Sequence, residues 1–156
     1  MLLILKKLFQ KHIKKKKFIS YKFKDKIYDK ELKNKLLQAD YILVSIPPQK
    51  KKDVVLKRFK SILKNSKFKK LIYLSATSVY GNHNGKWVNE KSKLKGLTKF
   101  GLGRRKVEKE WINFRKAKNL DINILRVSGI YSRENNILKR ISKTNFYIRE
   151  KKYFSR

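Results

Sequence analysis

Short apolar runs alternate with amphipathic stretches along most of the chain. Three short, mainly apolar runs predict strands at 41–46, 71–74 and 122–127. A short strand that is apolar on both faces is typical of a parallel sheet with helices on both sides. The alternating aromatic and β-branched stretch 18–23 predicts one further strand.

Apolar residues at helical spacing predict five helices, at 2–16, 30–38, about 51–65, about 100–118 and 134–142. Asp29 is a suitable N-cap for the helix at 30–38. A loop rich in glycine and asparagine, about 81–98, precedes the longest helix. Strands that alternate with helices imply right-handed crossovers, so the pattern predicts one α/β domain over 1–156.

The chain is strongly basic, with 44 Lys and Arg against 11 Asp and Glu and a formal net charge of +33. Residues 1–78 carry 23 basic and 5 acidic side chains, and residues 79–156 carry 21 and 6. This even spread, with many Ile, Asn, Tyr and Phe residues that share AT-rich codons with Lys, favours a compositional bias over a dedicated polyanion site. Nonspecific binding to nucleic acid at low salt is still expected from counterion release.

Several classes of protein are excluded by what the sequence lacks. There is no cysteine, which removes disulfides, thiolate nucleophiles and Cys-based metal sites, and two histidines are too few for a His-built metal site. No apolar run approaches the ~20 residues that span a bilayer, and lysines interrupt the apolar start at 1–9. We therefore expect a cytoplasmic protein without a metal or a membrane partner.

Hydroxyl-rich or proline-rich segments follow each of the three apolar strands. These segments are 45–48, 75–78 and 127–131. In open parallel sheets, ligands bind beyond the carboxyl ends of the strands. The three segments are therefore expected to line one shared cleft with hydroxyl and backbone groups.

Residues 71–90, LIYLSATSVYGNHNGKWVNE, resemble the Ser/Thr-x-x-Val-Tyr-Gly strand end of the extended short-chain dehydrogenases/reductases. The similarity is to an atypical branch of NAD(P)-dependent oxidoreductases and nucleoside-diphosphate-sugar epimerases/dehydratases. Residues 41–48 resemble the fourth strand of that branch, which runs beside the dinucleotide, and 103–108 and 125–132 match it in order. The resemblance covers most of 20–156 and implies a Rossmann-like fold, NAD or NADP as cofactor, and a sugar-nucleotide-like substrate.

The sequence also departs from that family. The family's opening strand, Gly-x-x-Gly-x-x-Gly loop and helix hold the pyrophosphate through backbone N–H groups, yet the first glycine here is Gly81. Matched in order, helix 2–16 is the family's second helix and 18–23 its third strand, while 154–156 resemble the start of a later segment. We therefore expect a partial, doubly wound parallel sheet that lacks the first strand, Gly-rich loop and helix and is truncated at both ends.

The resemblance also implies which side chains would carry chemistry. In the family a Tyr acts as general acid/base, a Lys four residues later lowers its pKa, and a Ser or Thr orients the substrate oxygen. Lys106 is the best match for the Lys, but Leu102 stands where the Tyr would be, and Ala76 stands at the Ser/Thr position. The candidate catalytic residues are Ser75, Thr77, Tyr80 and Lys106, and the candidate cofactor-binding residues are Asp25, Ser45, Ile46, Pro47 and Lys106.

Two hypotheses of different kinds follow. The first is a fragment of an NAD(P)-dependent oxidoreductase or nucleoside-diphosphate-sugar epimerase/dehydratase that is inactive alone. The alternative is a basic, non-catalytic nucleic-acid-binding protein, suggested by the net charge and by aromatic residues interleaved with lysines in 14–26.

Overall fold

The computed structural model describes residues 21, 23–24, 27–28, 30–49, 52–130 and 132–133. The predicted helices at 2–16 and 134–142 lie outside these residues, as do Asp25, Asp29 and most of the predicted strand at 18–23. No helix in the described part of the chain is long and apolar enough to cross a membrane.

The parallel sheet has three strands in the order β3-β4-β5, so β4 lies in the centre. The elements are β1 (Phe23–Lys24), β2 (Ile27–Tyr28), α1 (Lys30–Gln38), β3 (Tyr41–Val44), α2 (Val54–Asn65), β4 (Lys70–Ala76), α3 (Lys99–Lys118) and β5 (Ile122–Val127). A 3₁₀ turn, Thr77–Val79, follows β4 directly. The α/β class and the parallel sheet predicted from the sequence are confirmed.

The bounds differ from the prediction where a specific interaction begins or ends an element. Helix α2 starts at 54 rather than 51, because the Asp53 carboxylate accepts a hydrogen bond from the Leu56 N–H at 2.7 Å and caps it. Strand β4 continues to Ala76 because β5 pairs with it from Leu71 to Ala76. Phe23 pairs antiparallel with Tyr28, so the described end of the predicted strand 18–23 belongs to a hairpin and not to the parallel sheet.

The core lies on one face of the sheet. Buried Ile42, Leu71 and Tyr73 alternate with exposed or half-buried residues along the strands, and they share one core cluster with all three helices. Tyr41 and Leu125 on the opposite face are 55% and 54% exposed. Among the described residues, the three helices therefore cover this one face of the sheet. The physical reason is that right-handed crossovers from β3 to β4 and from β4 to β5 move in one direction and place both helices on the same side.

Trp111 occupies the centre of this core and is fully buried. Its ring stacks on Tyr73 at a centroid distance of 5.6 Å and meets the edge of Phe114 at 6.2 Å. Its indole Nε1 donates a hydrogen bond to the Asp53 carboxylate at 3.1 Å. One side chain thus joins the central strand, α3 and the first turn of α2.

Replacement of Trp111 by Ala removes the stacking, the buried area and the hydrogen bond at once. We expect the free energy of unfolding to fall by about 3–5 kcal/mol, measured by urea denaturation. Trp87 is 83% exposed, so the matched variant Trp87→Ala is expected to change it by no more than about 0.5 kcal/mol. Equal losses in the two variants would contradict the central role of Trp111.

Burial raises the pKa of Asp53 above its ordinary value, although hydrogen bonds from the Leu56 N–H and the Trp111 side chain partly offset the shift. The folded protein therefore holds this proton more tightly than the unfolded chain does, so stability falls as the pH rises from about 4 through the raised pKa. Urea unfolding of wild type and Asp53→Asn between pH 3.5 and 6.5 checks the sign, because all other groups are shared. The stability of wild type relative to the variant is expected to decrease with pH; an increase would show that the pKa is lowered.

Candidate functional site

The carboxyl ends of β3, β4 and β5 lie next to each other at one edge of the sheet. The ladder between β3 and β4 ends at Val44, and the ladder between β4 and β5 ends at Val127. Ser45 and Ser128 follow these residues directly, and Ser75 lies near the end of the central strand. The three segments expected to share one cleft therefore emerge at the same edge.

Ser75 is the most unusual polar residue at this edge. Its side chain is buried, with 4% of the residue exposed, and its hydroxyl oxygen has no hydrogen-bond partner within the described residues. Leaving such a group unpaired costs about 1–3 kcal/mol. A polar ligand atom at the strand end would satisfy it, whereas Thr77, on the 3₁₀ turn, is exposed to solvent.

The end of β3 supplies the other side of the edge. Ser45 is half-buried, Ile46 is buried and Pro47 is exposed. Three of the five predicted cofactor-binding residues thus run from the core to the surface in one short segment. Asp25 lies outside the described residues, and Lys106 lies on α3.

Tyr80 is held in the interior by a charged pair. Its hydroxyl accepts a hydrogen bond from Arg126 Nη1 at 3.0 Å, and the Arg126 guanidinium lies 5.0 Å from its ring centroid. Arg126 also donates to both carboxylate oxygens of Glu108, at 3.1 Å from Nε and 2.9 Å from Nη2. Glu108 is 1% exposed. This bidentate pair connects α3 to β5 and fixes the start of the 81–98 loop.

Lys106 lies on the exposed side of α3, where it lines a groove with Lys57 and Lys60. The cation that reaches the end of β4 is Arg104, which is half-buried and donates to the Leu74 carbonyl in a long hydrogen bond of 3.4 Å. The residue four positions before Arg104 is Phe100, which is 79% exposed.

Arg104 was not among the residues predicted from the sequence, although its position in the helical repeat indicates that it faces the sheet. It lies three residues before Val107 and seven before Trp111, so it shares the stripe that faces the sheet. Lys106 falls outside that stripe. Phe100 and Arg104 also have the same four-residue spacing as Leu102 and Lys106.

Two glycines let the 3₁₀ turn pack directly on the start of α3. A Cβ atom on Gly96 would lie 2.4 Å from the Ser78 carbonyl oxygen, and one on Gly101 would lie 2.7 Å from the same atom. Because both obstacles are backbone, neither position accepts a side chain without a shift. Thr98 caps the helix between them by accepting from the Gly101 N–H at 3.0 Å.

Comparison with known families gives a match over 55–150 to the model of the NAD dependent epimerase/dehydratase family. The chain belongs to this family. The resemblance seen in residues 71–90 is thereby confirmed. Comparison with curated proteins finds no match.

Solved structures share the fold over part of their length. A conserved protein of unknown function from Silicibacter pomeroyi is 29% identical, with a TM-score of 0.59 over 68% of this chain and 37% of that chain. UDP-glucuronic acid 4-epimerase from Bacillus cereus, solved in complex with NAD, is 23% identical, with a TM-score of 0.55 over 64% of this chain and 36% of that chain. A complex of that enzyme with UDP-glucuronic acid and NAD is 21% identical, with a TM-score of 0.50 over 63% of this chain and 35% of that chain. The chain thus spans little more than a third of these relatives, and the Rossmann-like α/β fold is confirmed.

The residues at the sheet edge fit one part of a nicotinamide dinucleotide. The unpaired Ser75 hydroxyl and the half-buried Ser45 are suitable for polar groups of a ligand beside β3 and β4. The pyrophosphate has no corresponding cradle, because the sequence contains no Gly-x-x-Gly-x-x-Gly loop.

Glu108→Gln leaves the Arg126 guanidinium without its charged partner. We expect a loss of about 3 kcal/mol in stability, together with faster tryptic cleavage at the lysines of the 81–98 loop. Cleavage should become faster because Arg126 also donates hydrogen bonds to the Tyr80 hydroxyl, at 3.0 Å, and to the Glu90 carbonyl in the loop, at 3.4 Å.

The matched control is Glu110→Gln on the same helix, since no hydrogen bond or ion pair of the Glu110 side chain is found among the described residues. Its stability and cleavage rate are expected to stay close to wild type. A Glu108→Gln protein cleaved no faster than this control would show that the pair does not hold the loop.

Proposed function

We propose that the chain supplies part of the active site of an NAD(P)-dependent epimerase, dehydratase or oxidoreductase acting on a sugar-nucleotide-like substrate, and that it is inactive alone. The proposal is carried by one observation. The buried Ser75 hydroxyl, which has no hydrogen-bond partner among the described residues, lies at the carboxyl edge of the sheet. It belongs to the strand whose Leu74 carbonyl accepts a hydrogen bond from Arg104. Family membership and the bound ligands of the Bacillus cereus enzyme support the substrate and cofactor classes.

Ser45, Ile46 and Pro47 are the residues proposed to run beside the dinucleotide. When bound, a nicotinamide group supplies hydride transfer at a carbon that carries the substrate oxygen. Ser75 or Thr77 would orient that oxygen by hydrogen bonding, as the resemblance implies. The Arg104 guanidinium would present a fixed positive charge toward the same end of β4.

The proposed lack of activity rests on proton transfer. Phe100 and Leu102, four residues before Arg104 and Lys106, are hydrocarbons and hold no transferable proton. Arginine stays protonated in proteins, so Arg104 stabilises charge and does not exchange a proton at neutral pH. Tyr80, the remaining candidate acid, is only 7% exposed, so its hydroxyl proton is shielded from a ligand at the sheet edge. We therefore propose that the described residues orient a ligand and do not supply the acid or base that completes the reaction.

Without a pyrophosphate cradle, dinucleotide affinity should be low. We expect fluorescence titration with NADH to give a dissociation constant weaker than about 1 mM, which corresponds to less than about 4 kcal/mol of binding energy. A micromolar constant would contradict the proposal that the chain alone is a poor binder.

The same weak binding can show whether Arg104 or Lys106 is the positively charged side chain that contacts the dinucleotide. At millimolar NADH, we expect the NADH-induced changes in amide NMR chemical shift to cluster at Ser45, Ser75 and Thr77. These changes should become smaller in Arg104→Gln and stay unchanged in the control variant Lys109→Gln, which loses the same charge elsewhere on α3. Lys106→Gln tests the residue inferred from the sequence. Smaller shifts in Lys106→Gln alone would assign the role to Lys106, and shifts remote from the sheet edge would overturn the proposed site.

A further inference from the structure

A solvent-exposed groove of about 660 Å³ runs between α2 and α3, outside the site described above. One wall is the stripe of α3 formed by Lys106, Glu110, Asn113 and Ala117. The other wall is the first half of α2. The positions on α3 are three or four residues apart, so they form a continuous helix face.

The groove carries a concentrated positive charge. Five of its lining residues are lysines, namely Lys52, Lys57, Lys60, Lys106 and Lys118. Only two carboxylates line it, and Asp53 is 3% exposed with both oxygens already accepting hydrogen bonds. Glu110 is the remaining acid, so the exposed wall of the groove is strongly cationic.

These lysines have no acidic partner within the described residues. Three lysines elsewhere in the same part of the chain are paired, Lys35 with Glu31, Lys69 with Asp40 and Lys70 with Asp121. Concave walls concentrate the field of unpaired charges and attract a ligand of opposite sign. The groove thus differs in both shape and charge balance from these lysine positions.

We propose that the groove between α2 and α3 binds a chain of phosphate groups, such as the backbone of a nucleic acid. From Lys106 to Lys118, α3 rises about 18 Å, which equals the axial rise of about five nucleotides of one strand. Lysines act as point charges on phosphate. The aromatic lining residue, Phe114, is 4% exposed and offers no surface for base stacking. Binding is therefore independent of base sequence.

The test separates this groove from the general charge of the protein. The groove variant Lys57→Gln/Lys60→Gln/Lys118→Gln is compared with the control variant Lys64→Gln/Lys67→Gln/Lys91→Gln, whose exposed lysines do not line the groove. Both lower the net charge equally, and Gln keeps helix propensity. Thermal unfolding confirms that each variant is folded, and binding is measured by anisotropy of a labelled 12-nucleotide oligothymidine in ~150 mM salt.

We expect the groove variant to bind at least about tenfold more weakly than wild type, and the control to stay within about twofold. The slope of log affinity against log salt should shrink by about two in the groove variant, since three phosphate contacts are lost. Equal losses in both variants would show that net charge alone governs binding and would overturn the proposal, as would an unchanged affinity in the groove variant.

Inorganic polyphosphate offers the same chemistry, so a second arm identifies the source. Polyphosphate of matched length is used as competitor against the oligothymidine. If polyphosphate displaces the labelled oligothymidine at a lower phosphate concentration than unlabelled oligothymidine does, the groove is assigned to polyphosphate. If unlabelled oligothymidine is the stronger competitor, the groove is assigned to nucleic acid. Competition by neither ligand overturns the site.

Discussion

The stacking of Trp111 on Tyr73 is the contact on which the described structure depends. It presses α3 onto the central strand, and the indole hydrogen bond to Asp53 ties the cap of α2 to the same point. Through this contact the two crossover helices are held on one face of the sheet. The position of Arg104, two turns before Trp111 on the same stripe, follows from it.

The positively charged side chains of the fold differ in how deeply they are buried and in what they contact. Arg126 is neutralised by the buried Glu108 and also binds the Tyr80 hydroxyl, so this cation serves structure. Arg104 lies half-buried near the carboxyl end of β4, where its Nη1 donates to the Leu74 carbonyl. The lysines of the α2–α3 groove are exposed and interact with solvent or with whatever anion approaches. One strongly basic composition thus gives three different kinds of positive charge.

The sheet presents two unlike faces. The face toward the helices is buried, while residues such as Tyr41 and Leu125 on the other face are more than half exposed. Parallel sheets are normally covered on both sides. The chain spans little more than a third of the solved relatives it matches, and the ligands seen in the Bacillus cereus enzyme are bound by a protein of nearly three times the aligned length.

The sequence by itself determined the local elements. Helix 30–38 and strand 122–127 were predicted with the bounds the structure has, because hydrophobic periodicity and turn residues act over a few neighbouring positions. The family resemblance in 71–90 also needed no coordinates. Ser45, Ser75 and Ser128 could be placed at one edge because the carboxyl ends of parallel strands share an edge.

Only the tertiary structure decided which side chains meet. Spacing favoured Lys106, whereas the packing of Trp111 turns Arg104 toward the sheet and Lys106 toward solvent. The Arg126–Glu108 pair joins residues 18 positions apart. Four of the five groove lysines come from two helices that are separated in sequence by β4 and the 81–98 loop. Such contacts depend on how helices rotate and pack against the sheet, which is a property of the whole core and not of any short segment.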